Sequence, residues 1–417
     1  MKIVIPSVIV AIIIVGLAFW QLGPVFLNKT PKEQGLIQLN YWGFWDEEKI
    51  RLIIPEFKKL HPNIKVTYTP QSKTFYRTRV QTQLREGSGP DILQINNSWL
   101  PLFALDLAPA PKTLIDLDEF SATFYPVARD SLVVNGQIYA LPSEINGLAL
   151  FYNEDILKAA GVTPPKSWQD FLDVSSKVTV KDGGQIKTAG AAIGTTNNVD
   201  FWSEILGLLL LQQPGVNLSS PFGSKSAEIL KFYTSFIIDP RRKTWDQSLQ
   251  GSTQMFTSSN LAFYFGKFEQ VAAIKTLNPS LKFGVVPVPQ LPGGQVGWAS
   301  FWVEAVSKNS KHQREAWEFV KFLTQKEVIL SLGVPPARID MASSVTDPLV
   351  MPFVSQGYYY KSWYLNSAVA DSGINDEMVS FWKEAIDSVL GGSPPEDALK
   401  ILQPKVQQVL AKYKNLL

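Results

Sequence analysis

Two apolar rhythms alternate along the chain from Leu36 onward. Leu36 to Tyr41 has the composition of a strand, and Ile50, Ile53, Ile54, Phe57 and Leu60 then recur at helical spacing behind Asp46, a residue suited to cap a helix. Pro55 falls inside that helix and predicts a kink or an early stop, because proline removes a helical hydrogen bond. The turn His61-Pro62-Asn63 leads into Ile64, Val66 and Tyr68, which alternate with period two, and a second helix is predicted near Thr74 to Arg85. A buried strand, Ile92 to Ile95, follows. Strand, helix, strand, helix, strand in close succession demands parallel pairing with right-handed crossovers, so the first lobe is expected to be a doubly wound sheet. Ligands of such sheets gather at the carboxyl ends of the strands. Here those ends are Tyr41 to Asp46, Thr69 to Gln71, and Asn96 to Trp99.

A second region, Gly147 to Gln295, carries helical patterns around Trp168 to Val174, Phe201 to Gln212 and Ala227 to Phe236, with a strand at Phe283 to Val288. Leu206 to Leu211 is apolar on every side but too short to span a membrane, so it is assigned to the core. Amphipathic helices return at Arg314 to Leu330, Asn375 to Leu390 and Glu396 to Tyr413. Proline pairs at Pro164-Pro165, Pro335-Pro336 and Pro394-Pro395 act as rigid connectors.

Ahead of all this, Ile3 to Trp20 is an almost unbroken apolar run that as a helix would reach about 27 Å, close to a bilayer core of ~30 Å. Ala18-Phe19-Trp20 makes a poor cleavage site, so an uncleaved anchor is expected over a removed signal peptide. Lys2 on one flank is matched by Lys29 and Lys32 on the other, and charge alone does not set its orientation.

Composition narrows the chemistry. The 417 residues are 45% hydrophobic and 18% charged, a globular balance, and the chain is long enough for two domains. With 39 basic against 37 acidic residues and no basic run, nucleic acid is not an expected partner. The absence of cysteine excludes disulfides, thiolate metal sites and cysteine nucleophiles. His61 and His312 lie far apart and are expected at the surface, so neither a metal nor a cofactor is anticipated. Twelve tryptophans and 24 phenylalanines imply either a strongly aromatic core or a binding surface built from rings.

Several segments in order resemble the family 1 extracellular solute-binding proteins, the maltose-binding-like receptors of sugar ABC transporters. They are EFKKLHPNIKV (Glu56 to Val66), GSGPDIL (Gly87 to Leu93), NGQIYALP (Asn135 to Pro142), LFYN (Leu150 to Asn153), GVTPPKSWQDF (Gly161 to Phe171), Gly284 to Pro289, and a helix holding Ala316, Trp317, Phe319 and Leu323. The resemblance implies an α/β, two-lobed periplasmic-binding-protein-like fold of type II, with a cleft and hinge between lobes. Residues 1–35 would form the anchor and linker, 36–145 with 297–338 the first lobe, and 146–296 with 339–417 the second. Three crossings are implied near Glu144 to Gly147, Val296 to Phe301 and Gly333 to Ile339. It also implies a non-catalytic monomer outside the cytoplasm that closes on a carbohydrate, expected to be an oligosaccharide, and delivers it to the permease of an ABC transporter.

A sugar offers C–H faces to aromatic rings and hydroxyls to carboxylates, amides and guanidinium groups. At the open end of the first sheet, Trp42, Trp45, Asp46, Asn96, Asn97 and Trp99 supply such groups, Asp46 serving equally well as a helix cap. The resemblance adds Glu144 and Asn146 at the first crossing, Trp202 and Phe268 in the second lobe, Trp298 and Arg338 in the later crossings, and Trp382 on a carboxyl-terminal helix. Trp302 and Trp382 suit the core at least as well, and Trp168 and Trp317 are assigned to it. A carbohydrate hydrolase with paired carboxylates and a sensor domain for a non-sugar solute remain alternatives.

Overall fold

The computed structural model describes residues 35–369 and 371–414. In chain order the first group of elements is β1 (Ile37–Gly43), α1 (Glu47–Leu60), β2 (Ile64–Pro70), α2 (Tyr76–Arg85), β3 (Ile92–Asn96), and the short strands β4 (Leu107–Ala108) and β5 (Ala140–Leu141). The second comprises β6 (Ala149–Asn153), α3 (Trp168–Val178), β7 (Gln185–Ala191), α4 (Trp202–Gln212), α5 (Ser224–Ile238), β8 (Leu261–Gly266), α6 (Glu269–Leu277) and β9 (Phe283–Val286). The chain then returns through β10 (Gly297–Trp298), β11 (Trp302–Ser307), α7 (Gln313–Leu323) and α8 (Lys326–Leu332), and ends with β12 (Tyr360–Lys361), α9 (Ile374–Leu390) and α10 (Pro395–Tyr413).

Two sheets result, and they divide the molecule into two lobes. The first runs β2-β1-β3-β11-β4, with β5 also on β11. β1 pairs in parallel with β2 and β3, Tyr41 lying opposite Ile92, whereas β11 is antiparallel to β3. The second runs β9-β6-β8-β7, continued by Val180–Asp182. Alternation explains the outer strands: in β2, Ile64 and Val66 are buried while Lys65 and Thr67 face water. β3 is central, and all five of its residues are buried.

Two helices depart from expectation. α1 runs unbroken through Pro55, with Ile50, Ile53 and Phe57 on its buried face. The carbonyl deprived of its partner belongs to Arg51, and both Arg51 and Pro55 are exposed, so water can satisfy it. The span predicted as one helix from Arg314 to Leu330 is two, α7 and α8, separated at Thr324-Gln325, where the Thr324 hydroxyl donates to the Lys321 carbonyl at 2.8 Å. The apolar run Ile3 to Trp20 lies outside the described residues; among those described, no helix is long and apolar enough to cross a membrane.

Between the lobes, three segments lie side by side. Glu144 bridges to Pro336 and Gly147 to Ala299, while the Ile145 amide donates to the Pro335 carbonyl at 2.8 Å and the Ser300 amide to the Asn146 carbonyl at 3.0 Å. Gly147 is required there, since a Cβ would fall 2.1 Å from the Trp298 carbonyl oxygen. Each lobe therefore has its own sheet, and the connecting strands form a narrow seam beneath a cleft.

Candidate solute-binding cleft

The cleft floor begins with a buried carboxylate. Glu304, inside the apolar strand β11, accepts hydrogen bonds from the Tyr41 hydroxyl (3.1 Å), the Trp45 indole (2.8 Å) and the Gln94 amide (2.8 Å). Burial pushes its carboxyl up to about 7 against the lowering effect of those donors. Gln94 also accepts from the Phe44 amide at 2.5 Å. One acid on β11 and one amide on β3 thus fix the loop after β1, leaving the Phe44 and Trp45 rings half-buried at the cleft.

The opposite wall comes from the first crossing and the second lobe. The Asn146 side-chain oxygen accepts from the amides of Gly147 (2.9 Å) and Phe268 (3.0 Å), and its nitrogen donates to Glu269 at 2.8 Å. This one residue couples the seam to the start of α6. Glu144 accepts from the Trp302 amide at 3.3 Å. Its carboxyl is pushed up to about 8, first by burial and then by the neighbouring charge of Glu269. Together Phe44, Trp45, Lys73, Gln94, Glu144, Asn146, Phe268, Glu269, Trp302 and Val334 line a chamber of about 180 Å³.

A second chamber of about 460 Å³ adjoins it, sharing Lys73 and Trp302 and bounded by Phe75, Arg77 and Trp99 on one side and by Val369, Ser372 and Asp376 on the other. Trp302 stands edge-on to Phe44 (4.4 Å) and to Trp99 (5.2 Å). It forms the wall common to both chambers. Arg77 donates to the carbonyls of Asp371 and Ser372, and Asn375 donates to the Ser98 hydroxyl at 3.0 Å, so the loop before α9 is tied to the first lobe.

The structure brings together Trp45, Glu144, Asn146 and Phe268 in the inner chamber, and sets an edge of Trp99 in the outer one. The remaining candidates lie elsewhere. Trp42 is half-buried and does not line either chamber, because successive strand residues face opposite ways and Trp45 emerges from the loop beyond. Asp46 caps α1, accepting from the amides of Glu48 (2.8 Å) and Lys49 (3.4 Å). Asn96 is fully buried and donates to Ser300 and to the Phe301 carbonyl. Asn97 donates to Ser131 and Ser362. Arg338 forks onto Asp340 at 2.9 and 3.0 Å.

Three tryptophans are internal. Trp202 starts α4 at 6% exposure, and Trp298 and Trp382 are at 0%. Trp298 occupies the space left by Gly207, where a Cβ would come 2.4 Å from the indole. Trp168 and Trp317 are core residues as expected. The residues that sequence alone missed are Phe44, Lys73, Gln94 and Glu269. Gln94 and Glu304 carried a usable signal, each being a polar residue flanked on both sides by apolar residues within a buried strand.

Comparison with known proteins agrees with this architecture. The chain is 23% identical over 378 residues to the maltotriose-binding protein of Pyrococcus abyssi, covering 85% of this chain and 77% of that one. It is 22% identical over 346 residues to the multiple sugar-binding protein of Streptococcus mutans, covering 76% and 80%. The sugar-binding protein MalE of Xanthomonas citri has the same fold, with a TM-score of 0.76 at 22% identity over 91% of this chain and 98% of that one. Residues 46–329, more than half of the chain, match the model of the bacterial extracellular solute-binding proteins, and the protein belongs to that family.

Proposed function

We propose that the protein captures a carbohydrate between its lobes and delivers it to the permease of an ABC transporter, held at the outer face of the membrane by Ile3 to Trp20. One observation carries the proposal: four aromatic rings drawn from both lobes, Phe44, Trp45, Phe268 and Trp302, surround the same small chamber as the carboxyl and amide groups of Glu144, Asn146, Gln94 and Glu269. Covering about 100 Å² of sugar ring face contributes roughly 2–3 kcal/mol. Each hydrogen bond to a charged partner adds ~1.5–3 kcal/mol before desolvation is counted. The sugar-binding relatives and the sugar-binding fold neighbour support the same assignment.

Closure follows from that arrangement. A ligand that touches Trp45 on one side and Phe268 on the other stabilises the closed form by its differential affinity for it, and the closed form is what a permease would recognise. The seam flexes while the chambers supply the contacts. A thermal-shift screen against a sugar panel tests this: a bound sugar at 100-fold its Kd stabilises by ~2.7 kcal/mol. Stabilisation by amines or peptides and by no carbohydrate would reject the sugar. Glu144 and Glu269 share the chamber, as paired acids of a hydrolase do, so release of shorter sugars from an oligosaccharide would reject the binding role.

A further inference from the structure

Building on the carbohydrate assignment above, we infer that the solute is an acidic oligosaccharide of at least two rings, one of them carrying a carboxylate, and that Lys73 is the residue that selects it. The two chambers set the size. The inner one measures about 180 Å³ and the outer about 460 Å³, and they adjoin, both being lined by Lys73 and Trp302. A single ring fills only the inner chamber. The rest of the cleft calls for a chain.

Charge sets the chemistry. Lys73 in the bend before α2, and Arg77 and Arg79 in its first turn, form no ion pair with an acid among the described residues. Arg77 is held by the Asp371 and Ser372 carbonyls and the Gln81 side chain, and Arg79 by Gln71 and the carbonyls of Ser72 and Thr74. The Lys73 ammonium makes no hydrogen bond to the described residues and rests 5.7 Å from the Phe44 ring centre and 5.4 Å from that of Trp302. Its N–H groups are open toward both chambers, which it lines.

The opposing acids are largely spoken for. Asp371 turns its carboxylate inward onto the amides of Gly373, Asn375 and Asp376, and Asp376 accepts from the amides of Asp371 and Ser372. On the inner side burial and the charge of Glu269 push the Glu144 carboxyl up toward its neutral form, against the lowering effect of the Lys73 ammonium, and Glu269 takes the Asn146 amide. One added negative charge beside Lys73 is therefore balanced. Two would meet Glu269 and Asp376 from either side, which favours a carboxylate over a phosphate monoester.

Phe75 completes the outer chamber. It is 74% exposed and sits at φ 53°, a conformation that bulky side chains rarely adopt, and this holds its ring at the rim rather than in the core. An exposed ring beside a free ammonium suits a uronic acid residue, whose C–H face stacks while its carboxylate takes the lysine.

Calorimetric titration of the full-length protein with di- and trisaccharides of galacturonate, glucuronate and mannuronate, each paired with its neutral counterpart, is the test. An acidic member is expected to bind at least tenfold more tightly than its neutral partner, with an advantage that shrinks as salt is raised. In Lys73→Met that ratio falls about tenfold or more, and Lys73→Arg retains most of it. Tighter binding of the neutral members, or an unchanged ratio in Lys73→Met, would overturn the inference while leaving the carbohydrate assignment intact. Failure of every carbohydrate, acidic and neutral, would overturn both.

Discussion

Each lobe starts a helix behind a phenylalanine at positive φ and sets a lysine over an aromatic ring, but the two lysines are used in opposite ways. In the first, Phe75 at φ 53° precedes a helix that opens with buried Tyr76, and Lys73 lies over aromatic rings. In the second, Phe201 at φ 56° precedes a helix that opens with buried Trp202, and Lys267 lies 5.2 Å from the Phe201 ring centre. Lys267 is buried, 3.6 Å from the buried carboxylate of Glu204 and 3.4 Å from the Asn366 side chain. Lys73 has neither kind of partner and faces the cleft. The same parts are closed into a structural network in one lobe and left open for a ligand in the other. A lysine over an aromatic ring is thus not a site by itself; Lys73 differs in having no carboxylate within ion-pair distance, with Glu144 and Glu269 lining the same chamber farther off.

The sharpest way to break this comparison is to remove each lysine in turn. Lys267→Met strands Glu204 in the interior with only Ser203, Ser367 and the Ala368 amide to solvate it, and is expected to cost about 3–5 kcal/mol in urea unfolding. Lys73→Met, at an exposed position, is expected to change stability by less than about 0.5 kcal/mol. Equal losses would show that the two lysines are not used differently. Next in size, Trp302→Ala removes the wall common to both chambers and is expected to weaken sugar binding by about 2–3 kcal/mol in calorimetry, with a folded protein by circular dichroism.

A pH series sharpens the inner chamber. Unfolded, Glu144 titrates near its ordinary value of 4.5, and folded it is pushed up to about 8, so between those values the folded chain holds the extra proton. Stability from this group is complete below about pH 4.5 and is lost as pH rises to about 8, at a slope on the order of 1 kcal/mol per pH unit. Glu144→Gln should flatten that part of the melting profile, and an unchanged slope would place Glu144 in a wetter setting. A smaller loss than that of Lys267→Met is expected at Asp46→Ala, which removes two amide partners from the start of α1 and costs about 1 kcal/mol of stability. A loss of affinity exceeding that of Trp302→Ala would instead make Asp46 a ligand contact.

How much of this was legible in the sequence depends on how local each cause is. Strand and helix order along residues 36–96 followed from period, because Ile64 and Val66, or Ile50, Ile53 and Phe57, declare their buried face by spacing alone. Trp45 was placed at the cleft by the rule that ligand sites gather at strand ends, and Phe268 by the family resemblance, and both line the inner chamber. Trp202, Trp298 and Trp382 were not separable from them by residue type, since a tryptophan at a crossing or helix start looks the same whether its ring meets solvent or a glycine such as Gly207. Lys73 was hidden for a different reason. Its surroundings are assembled from Phe44, Trp302, Glu144 and the segment around Asp376, which are distant in the chain and share no local pattern with it.

The uneven burial of the indoles also gives the protein a built-in optical reporter. Of twelve tryptophans, Trp168, Trp245, Trp298, Trp317 and Trp382 are buried away from both chambers, while Trp45 and Trp302 stand half-exposed in the inner one. A change in intrinsic fluorescence on adding a carbohydrate is therefore expected to come largely from the half-exposed rings at the cleft wall. Solute capture can therefore be followed in real time, without a label and without a modified ligand.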